Sequence, residues 1–183
     1  MKTISQLIIT MMICLFSIQT WAQSGKLFNT DNQLSSNLAT QVFQDKSGFI
    51  WIATRNGLNT YDGYHITIIK KDMSNFLGLN SNYINSIAQD EKEHILLGTN
   101  NSLLEFTGSE FLKIPMLDSK GKELATYVKQ IYPLRNKDVA VATSGYGIML
   151  KKQDEQKCHA MKGEVEKLKY IHKLLEDKRG RLW

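Results

Sequence analysis

Apolar residues along this chain come in short runs that are bounded by turn residues. The stretch DKSGFIWIATRNGLNTYDG at residues 45–63 shows the pattern most clearly, because a Trp-centred apolar run lies among three turn signals. Asp45 and Gly48 fit the first and fourth positions of a type I turn, while Asn56-Gly57 and Asp62-Gly63 are dipeptides favoured by two-residue hairpins. The segments between them are rich in β-branched and aromatic residues, as strands are. The pattern predicts a four-stranded antiparallel meander, with strands at about 40–44, 49–54, 58–61 and 64–70.

The second of these strands, FIWIAT, is apolar on both faces, which suits a strand covered by a layer on each side. One such sheet cannot cover itself and needs copies on either side. A shift of 45 residues supplies a copy, because it lays residues 79–111 on residues 34–66 without a gap. In this second copy Glu93 replaces Gly48, so the turn has to close without its usual residue. The matched pairs are Leu34 and Leu79, Asn37 and Asn82, Asp45 and Asp90, Ile50 and Ile95, Thr54 and Thr99, Leu58 and Leu103, Tyr61 and Phe106, and Gly63 and Gly108.

Two further copies are fainter. A third runs from Val128 to Leu150, and its turn SGYG carries one extra residue. A fourth begins at Leu174, where DKRGRLW repeats the Asp, Gly and Trp spacing of DKSGFIW. The residues before it, EVEKLKYIHKLLEDK, would also suit an amphipathic helix. The repeat register favours strand from about Ile171 onward, with a short helix or loop around residues 156–166.

A period of about 45 residues made of four short strands is typical of a β-propeller blade. Propellers close with about 4 to 8 blades, each of which buries its apolar faces against its neighbours. We therefore predict an all-β fold of propeller blades, an incomplete propeller of a little over three blades that forms the N-terminal piece of a longer protein or a truncated reading frame. An open β-solenoid and a β-sandwich compete with it, although a sandwich would not keep an in-register repeat. The predicted division is a signal peptide at 1–22, a lead-in at 23–33, blade 1 at 34–78, blade 2 at 79–123, a degenerate blade 3 at 124–167 and the start of blade 4 at 168–183.

The first residues predict export. Lys2 gives a positive start, residues 7–18 form an apolar run, and Thr20-Trp21-Ala22 places small residues at the two positions that a signal peptidase reads, which favours cleavage before Gln23. An uncleaved membrane anchor is the rival interpretation, but the run is shorter than the roughly 20 residues that cross a bilayer. We expect an exported, periplasmic protein with no membrane span in this chain.

The formal net charge of +5 is concentrated at the C-terminal end of the chain. Residues 151–183 hold 10 basic and 6 acidic side chains, a net +4, whereas residues 23–150 hold 12 of each. A basic tail can bind nucleic acid. An exported protein rarely meets any, so we expect a solvated, mixed-charge face and no nucleic-acid partner.

The stretch LSSNLATQVFQDKSGFIWIATRNGLNTYDG at residues 34–63 resembles the repeat of the two-component regulator propeller family. That repeat carries Asp-x-x-Gly-x-x-Trp-x-x-Thr-x-x-Gly-Leu, followed by an aromatic residue, Asp and Gly. The match is partial in the other blades, and with them it covers most of residues 34–183. In the first blade every position is matched, by Asp45, Gly48, Trp51, Thr54, Gly57, Leu58, Tyr61, Asp62 and Gly63.

This resemblance implies a role in signal transduction. In that family the repeats form the extracytoplasmic sensor of hybrid two-component histidine kinases, many of which respond to oligosaccharides and pass the signal to a cytoplasmic phosphorelay. The chain would then be a ligand-sensing fragment that catalyses nothing itself. The resemblance implies an oligosaccharide or another small extracellular ligand and the remaining blades as partners, with a full-length sensor that is anchored in the inner membrane and forms a homodimer.

Two other classes of function stay open. The chain could be a fragment of a secreted propeller polysaccharide lyase or glycosidase. Glycosidases usually place two carboxylates beside a cleft, and the visible acids lie at turns. A non-catalytic interaction propeller would instead have a stable protein partner.

The motif residues are expected to be structural. Trp51 lies in a doubly apolar strand and should be buried between blades, while Asp45 and Asp62 lie where a turn favours a side chain that bonds its own backbone. Tight turns after the second strand gather at one end of a propeller, and polar residues there are the candidate ligand-binding residues. They are Arg55, Asn56, Asn100, Asn101 and Tyr146.

The sequence predicts no catalytic residues, cofactor or metal. Cleavage of the signal peptide would remove Cys14 and leave Cys158 alone, so no internal disulfide can form. Cys158, His159 and His172 fit no common zinc spacing, and a fourth ligand is missing. We expect these three residues to be scattered on the surface.

Overall fold

The structure is a computed structural model, and it describes residues 25–71, 78–163 and 168–183. Within these residues it has fourteen β-strands, one short 3-10 helix at Thr30–Asn32 and no α-helix. The predicted signal peptide at residues 1–22 and the end of the predicted helix or loop at residues 164–166 lie outside them. The all-β prediction is confirmed.

The strands form three antiparallel meanders, and the strands of each meander are neighbours in chain order. The first sheet holds β1 (Ala39–Gln44), β2 (Ile50–Thr54), β3 (Gly57–Tyr61) and β4 (Ile66–Ile69). The second holds β5 (Ile84–Gln89), β6 (Ile95–Thr99), β7 (Leu103–Phe106) and β8 (Phe111–Ile114). The third is built on β11 (Tyr127–Pro133), β12 (Val139–Ser144), β13 (Ile148–Lys151) and β14 (Cys158–Ala160), and it also receives β9 (Met116–Leu117) and β10 (Glu123–Leu124).

The four predicted strands of the first sheet are confirmed to within two residues at each end. Two turns differ from the prediction. The loop after β2 is Arg55-Asn56, since Thr54 pairs with Gly57. The loop after β3 has four residues, because Tyr61 pairs with Ile66 and the Asp62 carboxylate closes the loop by accepting the backbone N–H groups of two loop residues, Tyr64 and His65, at 2.7 and 2.6 Å.

The turn between the first two strands is the same in all three sheets, although its residues are not. In the first sheet Gly48 donates to the carbonyl of Asp45 at 3.0 Å with a positive φ of 93°. Glu93 takes this place in the second sheet with φ 67°, and Lys137 takes it in the third with φ 74°. The turn thus closes without glycine, at the cost of placing two side chains in a left-handed conformation that L-residues disfavour.

Three hydrophobic clusters lie between successive repeats. The first joins the first and second sheets, the second joins the second and third, and the third joins the third sheet to the residues around Leu174. Strand β6 is buried on both faces, because Ile95 and Leu97 face the first sheet and Leu96 faces the third. This two-sided burial is the packing of stacked propeller blades.

A short hairpin crosses from the second sheet to the third. After β8 the chain forms β9 and β10, and β9 runs parallel to β14 at the outer edge of the third sheet. The sequence repeat assigns residues 116–123 to the second blade, whereas their strands hydrogen-bond to the third sheet. The residue boundaries of the blades stay predictions.

The residues of the predicted fourth repeat share part of the backbone pairing of the first sheet. The backbones of Leu175 and Trp183 exchange two hydrogen bonds at 3.1 and 2.8 Å, and Phe43 and Trp51, at the equivalent positions, are paired in the first sheet. The prediction of strand from about Ile171 onward is wrong, because residues 171–183 hold an isolated bridge between Glu176 and Leu182 and no continuous strand. Within the predicted helix or loop at residues 156–166 the chain instead forms β14, because the third meander needs its fourth strand there.

Side chains of each first strand bond to the backbone of the next repeat. The Gln41 amide donates to the Ile87 carbonyl at 2.8 Å and accepts the Ile87 N–H at 2.9 Å. Gln130 makes the same two bonds to Leu174 at 3.4 and 2.6 Å. At the interface between them, the Ser86 hydroxyl accepts the N–H of Ile131 at 3.0 Å.

Replacing Gln41 by leucine should lower the free energy of unfolding by about 1–3 kcal/mol, because it leaves the partly buried N–H and C=O of Ile87 without their partner. Urea unfolding measures the change. Gln44→Leu is the matched control, since the Gln44 amide bonds to Gly48 in its own exposed turn, and it should change stability by less than about 0.5 kcal/mol. Equal losses in the two variants would contradict this role for Gln41.

Candidate functional site

The turns after the second strands lie at the same end of the molecule as the starts of the first strands. Ala39 pairs with Thr54 in the first sheet, and the second and third sheets repeat this pairing. Because β1, β5 and β11 lie beside one another, these segments gather at one end of the molecule. We call this end the rim and define it by the strand starts 38–40, 83–85 and 127–129 and the turns 55–56, 100–101 and 144–147.

Each of the three first strands carries a β-bulge at the same place in the repeat. The pairing skips one residue in each strand, namely Thr40, Asn85 and Lys129. A bulge redirects the side chain of its extra residue, which is why bulges are common beside binding sites. The three bulged residues line one recess of about 390 Å³, which we call the rim recess. The other residues that line it are Leu38, Ala39, Arg55, Tyr83 and Tyr127.

Two tyrosines and two cations form the wall of the rim recess. The rings of Tyr83 and Tyr127 meet edge to face, with centroids 6.0 Å apart and an interplanar angle of 61°. The Arg55 guanidinium lies 5.6 Å from the centroid of Tyr83, and the Lys129 ammonium lies 4.1 Å from that of Tyr127. These cation–π contacts hold both charges over the rings.

Asn85 joins this wall to the bulge. The Tyr127 hydroxyl donates to its amide oxygen at 2.6 Å, and the amide nitrogen is buried with no hydrogen-bond partner among the described residues. Whichever way the amide is turned, one of its two polar atoms stays unpartnered, which is uncommon for a buried polar group. Burial raises the pKa of Tyr127 to about 12, with a further contribution from the Tyr83 hydroxyl, so the Tyr127 hydroxyl stays protonated at neutral pH.

Of the five candidate residues from the sequence, the structure places one in the recess. Arg55 lines it, and the other four lie at the rim but outside the lining. The Asn100 amide oxygen accepts a hydrogen bond from Ser81, the Asn101 amide oxygen accepts one from Thr99, and Tyr146 projects into solvent. Their ligand-binding role stays a prediction.

Sequence reasoning missed the rest of the lining. Tyr83 and Tyr127 follow Leu38 at intervals of 45 and 44 residues, as do Asn85 and Lys129 after Thr40. The repeat places these residues at equivalent positions, but an alternation of polar and aromatic residues is common in strands and does not by itself indicate a binding site. The first repeat has Leu38 and Thr40 at these two positions, whereas the next two repeats have tyrosine at the first and a longer polar residue at the second. This difference between otherwise similar repeats is the signal that could have found them.

A second recess, of about 440 Å³, lies at the end opposite the rim, between the turns of the first two sheets. Its aromatic side chains already belong to the core. Trp51 is 6% exposed, donates its indole N–H to Asp45 at 2.7 Å and packs edge to face on Phe106. The expectation that Trp51 is buried is confirmed, and the first turn aspartate has the structural role that its position predicts.

A buried ion cluster lies beside this second recess, and we call it the Asp90 cluster. In the second blade Leu96 replaces the tryptophan, so the Asp90 carboxylate has no indole donor. Two basic side chains face it instead, with the Lys151 ammonium of the third blade at 4.0 Å and the His94 imidazole at 3.7 Å. The imidazole also bonds to the Glu105 carboxylate at 2.6 Å. The cluster therefore brings together one buried ammonium, two buried carboxylates and one half-exposed imidazole.

The Asp90 cluster has donors that could bind a divalent cation. The ligand atoms of Asp90, His94 and Glu105 lie within 4.8 Å of one another, and two carboxylates with one imidazole are a common donor set. The Lys151 ammonium, however, already faces the Asp90 carboxylate and would repel a cation. We assign the cluster to an ion network that joins two blades.

The residues considered for zinc do not come together. Cys158 is buried, and burial raises its thiol pKa to about 12, which disfavours the thiolate that binds metal. The His159 Nε2 lies 3.2 Å from the Glu155 carboxylate. His172 is exposed, so the expected scatter holds for the histidines, whereas the expectation of a surface position is wrong for Cys158. None of the described helical segments is long and apolar enough to span a membrane.

Several solved structures with this architecture are extracellular domains of putative two component systems. The extracellular domain of the putative hybrid two component system BT4673 from B. thetaiotaomicron aligns with a TM-score of 0.68 at 17% identity, over 80% of this chain and 22% of that one. The corresponding domain of BT3049 from the same organism aligns with a TM-score of 0.54 at 16% identity, over 86% and 28%. The chain thus spans about a quarter of the length of these domains.

An enzyme shares the fold as well. A catalytically inactive virginiamycin B lyase from Staphylococcus aureus aligns with a TM-score of 0.64 at 10% identity, over 88% of this chain and 53% of that one. At these identities the likeness establishes the propeller fold, which confirms the predicted fold class, and it says nothing of activity. No curated protein shows significant sequence similarity to the chain.

A family model matches the two clearest blades. The model described as two component regulator propeller matches residues 33–56 and 78–101. The first match runs from the residues before β1 to the turn between β2 and β3, and the second covers the same segment one repeat later. Both segments contain the Asp turn and the buried second strand. The resemblance noted in the sequence is confirmed: residues 33–56 and 78–101, in the first two sheets of this partial β-propeller, match the repeat of the two-component regulator propeller family.

Proposed function

We propose that this chain is the ligand-sensing propeller of an exported two-component sensor and that it binds its ligand at the rim recess. The regulator propeller repeats and the fold shared with extracellular domains of two component systems support the role. Anchoring in the inner membrane, the kinase and the phosphorelay would belong to the rest of a longer sensor.

The observation that carries the ligand site is the convergence of three blades on one recess. Each blade contributes a bulged residue, and two of the blades contribute a tyrosine. Ligand sites are typically concave and lined by aromatic groups with a few placed polar ones. A sugar ring has an apolar C–H face and a polar hydroxyl edge, which match the tyrosine rings and the Asn85 amide. We therefore propose an oligosaccharide as the ligand.

The lining favours binding over catalysis. Glycoside hydrolysis commonly uses a pair of carboxylates that flank the scissile bond. None of the eight residues that line the rim recess carries a carboxylate. The buried carboxylates at the opposite end already have basic partners, since Asp90 faces Lys151 and Glu105 contacts His94. We propose that this part of the protein binds its ligand without turning it over.

Replacing Tyr83 or Tyr127 by alanine should weaken oligosaccharide binding by about tenfold or more, because each ring is a wall of the recess and well-packed aromatic groups dominate binding energies. An array of immobilised oligosaccharides identifies a ligand, and calorimetry then measures its affinity for each variant. Tyr146→Ala tests the turns in the same experiment, since Tyr146 lies at the same end outside the recess, and a site confined to the recess predicts no change in the affinity of this variant. Binding that is lost in Tyr146→Ala and kept in Tyr127→Ala would move the site to the turns.

A further inference from the structure

The rim recess carries positive charge that no carboxylate in its lining offsets. Arg55 and Lys129 both line it, and the other six residues are neutral. In the described part of the chain neither cation forms an ion pair, and each lies over a tyrosine ring instead. A ligand that enters the recess therefore meets two unpaired cations.

The charges of the two ends of the molecule differ. The β2–β3 turn of the first sheet and its two counterparts at the rim contain no acidic residue. The β1–β2 turn and its two counterparts at the opposite end contain five: Asp45, Asp90, Glu91, Glu93 and Asp138.

Lysines at this opposite end are paired. Lys46 pairs with Glu93 at 3.4 Å, and Lys137 pairs with Glu91 at 3.3 Å. The positive potential of the rim is thus local to that end, where it can attract an anion.

The donors of the recess also suit an anion. A guanidinium such as that of Arg55 offers a planar pair of N–H donors that fits a carboxylate or a sulfate. The Asn85 amide nitrogen is a buried donor without an acceptor. The Tyr127 hydroxyl stays protonated at neutral pH, so it adds no negative charge that would repel such a ligand.

We propose that the rim recess selects saccharides that carry a carboxylate or a sulfate, an inference that rests on the proposed ligand-sensing function. The anionic group would lie against Arg55 and Lys129, and the sugar ring would pack on Tyr83 and Tyr127. Carboxylate and sulfate share the chemistry that the recess recognises, and the probes below distinguish them.

Calorimetry with matched sugars tests the proposal. The α-1,4-linked galacturonic acid trimer and the α-1,4-linked galactose trimer differ only at C6, and a sulfated galactose trimer supplies the second anionic arm. The mannuronic acid and mannose trimers repeat the comparison on another backbone. At low ionic strength an anionic trimer should bind about tenfold or more tightly than its neutral counterpart, and the difference should shrink as salt is added.

Charge variants locate the effect. Arg55→Gln and Lys129→Gln should each weaken binding of the anionic trimer about fivefold or more and weaken binding of the neutral trimer by a smaller factor, since both side chains also line the recess. Lys46→Gln, at the opposite end, removes the same charge from the molecule and should change neither affinity. Equal effects of all three variants would assign the preference to the overall charge of the protein and overturn the proposal.

The remaining outcomes separate the two levels of inference. Neutral trimers that bind as tightly as their anionic counterparts would overturn the anionic preference and leave the oligosaccharide-sensing function in place. Binding by none of the sugars, together with an oligosaccharide array that finds no ligand, would overturn both.

Discussion

Replacing Lys151 by methionine should lower the free energy of unfolding by about 3–5 kcal/mol, because it leaves the buried Asp90 carboxylate without the ammonium that faces it. Lys151 is 2% exposed, and the two carboxylates of the Asp90 cluster, Asp90 and Glu105, are 6% and 3% exposed. Methionine keeps most of the side-chain length, so the loss reports the charge and not a cavity. Urea unfolding of the purified protein measures it.

Two further variants make this result specific. Lys92→Met removes a cation whose pair with Asp154 is on the surface, and it should cost less than about 1 kcal/mol. Adding Asp90→Asn to Lys151→Met should recover part of the loss, because it removes the carboxylate charge that the ammonium faced. A loss for Lys151→Met that is no larger than that for Lys92→Met would show that the buried ammonium is dispensable.

Replacing Trp51 by alanine should lower the free energy of unfolding by about 3–5 kcal/mol, as expected for a large buried aromatic side chain. The same repeat position is occupied by Trp183, which donates its indole N–H to Asp177 at 3.2 Å as Trp51 does to Asp45 at 2.7 Å. The two differ in burial, at 6% and 67% exposed. Trp183→Ala should therefore cost less than about 1 kcal/mol, measured in the same urea series.

This pair of variants separates two causes. If burial between blades carries the stability, only Trp51→Ala shows the large loss. If the hydrogen bond between the indole and the turn aspartate carries it, the two variants lose similar amounts, and the assignment of Trp51 to the core energy would be wrong.

The sequence predicts the repeat and its strands because both depend on the residue types within short segments of the chain. Turn dipeptides and doubly apolar strands recur with the blade period, and the strands of the first sheet follow them closely. Glu93 and Lys137 are harder to predict, since nothing local favours a left-handed conformation at either residue. Their turns close because the strands on both sides are held by neighbouring sheets.

The site was less predictable than the fold. Arg55 was found because it lies in a tight turn, whereas Asn85 and Lys129 reach the recess through bulges that depend on pairing across a sheet. A bulge has no strong local pattern in these strands. The sequence also does not predict that the hairpin β9–β10 pairs with the third sheet. The repeat period predicts the blade to which a strand belongs, but it does not predict the strand with which an edge strand pairs.

The bonds from Gln41 and Gln130 to the following repeat have the same direction at both interfaces. A repeat of this kind presents a side chain to the following repeat and backbone N–H and C=O groups to the preceding one. Its two contact surfaces are therefore complementary and not alike. Such contacts make rings when the rotation closes. A gene segment for one blade could therefore be duplicated or lost, and the neighbouring blades would still find the chemistry they need across the new junction.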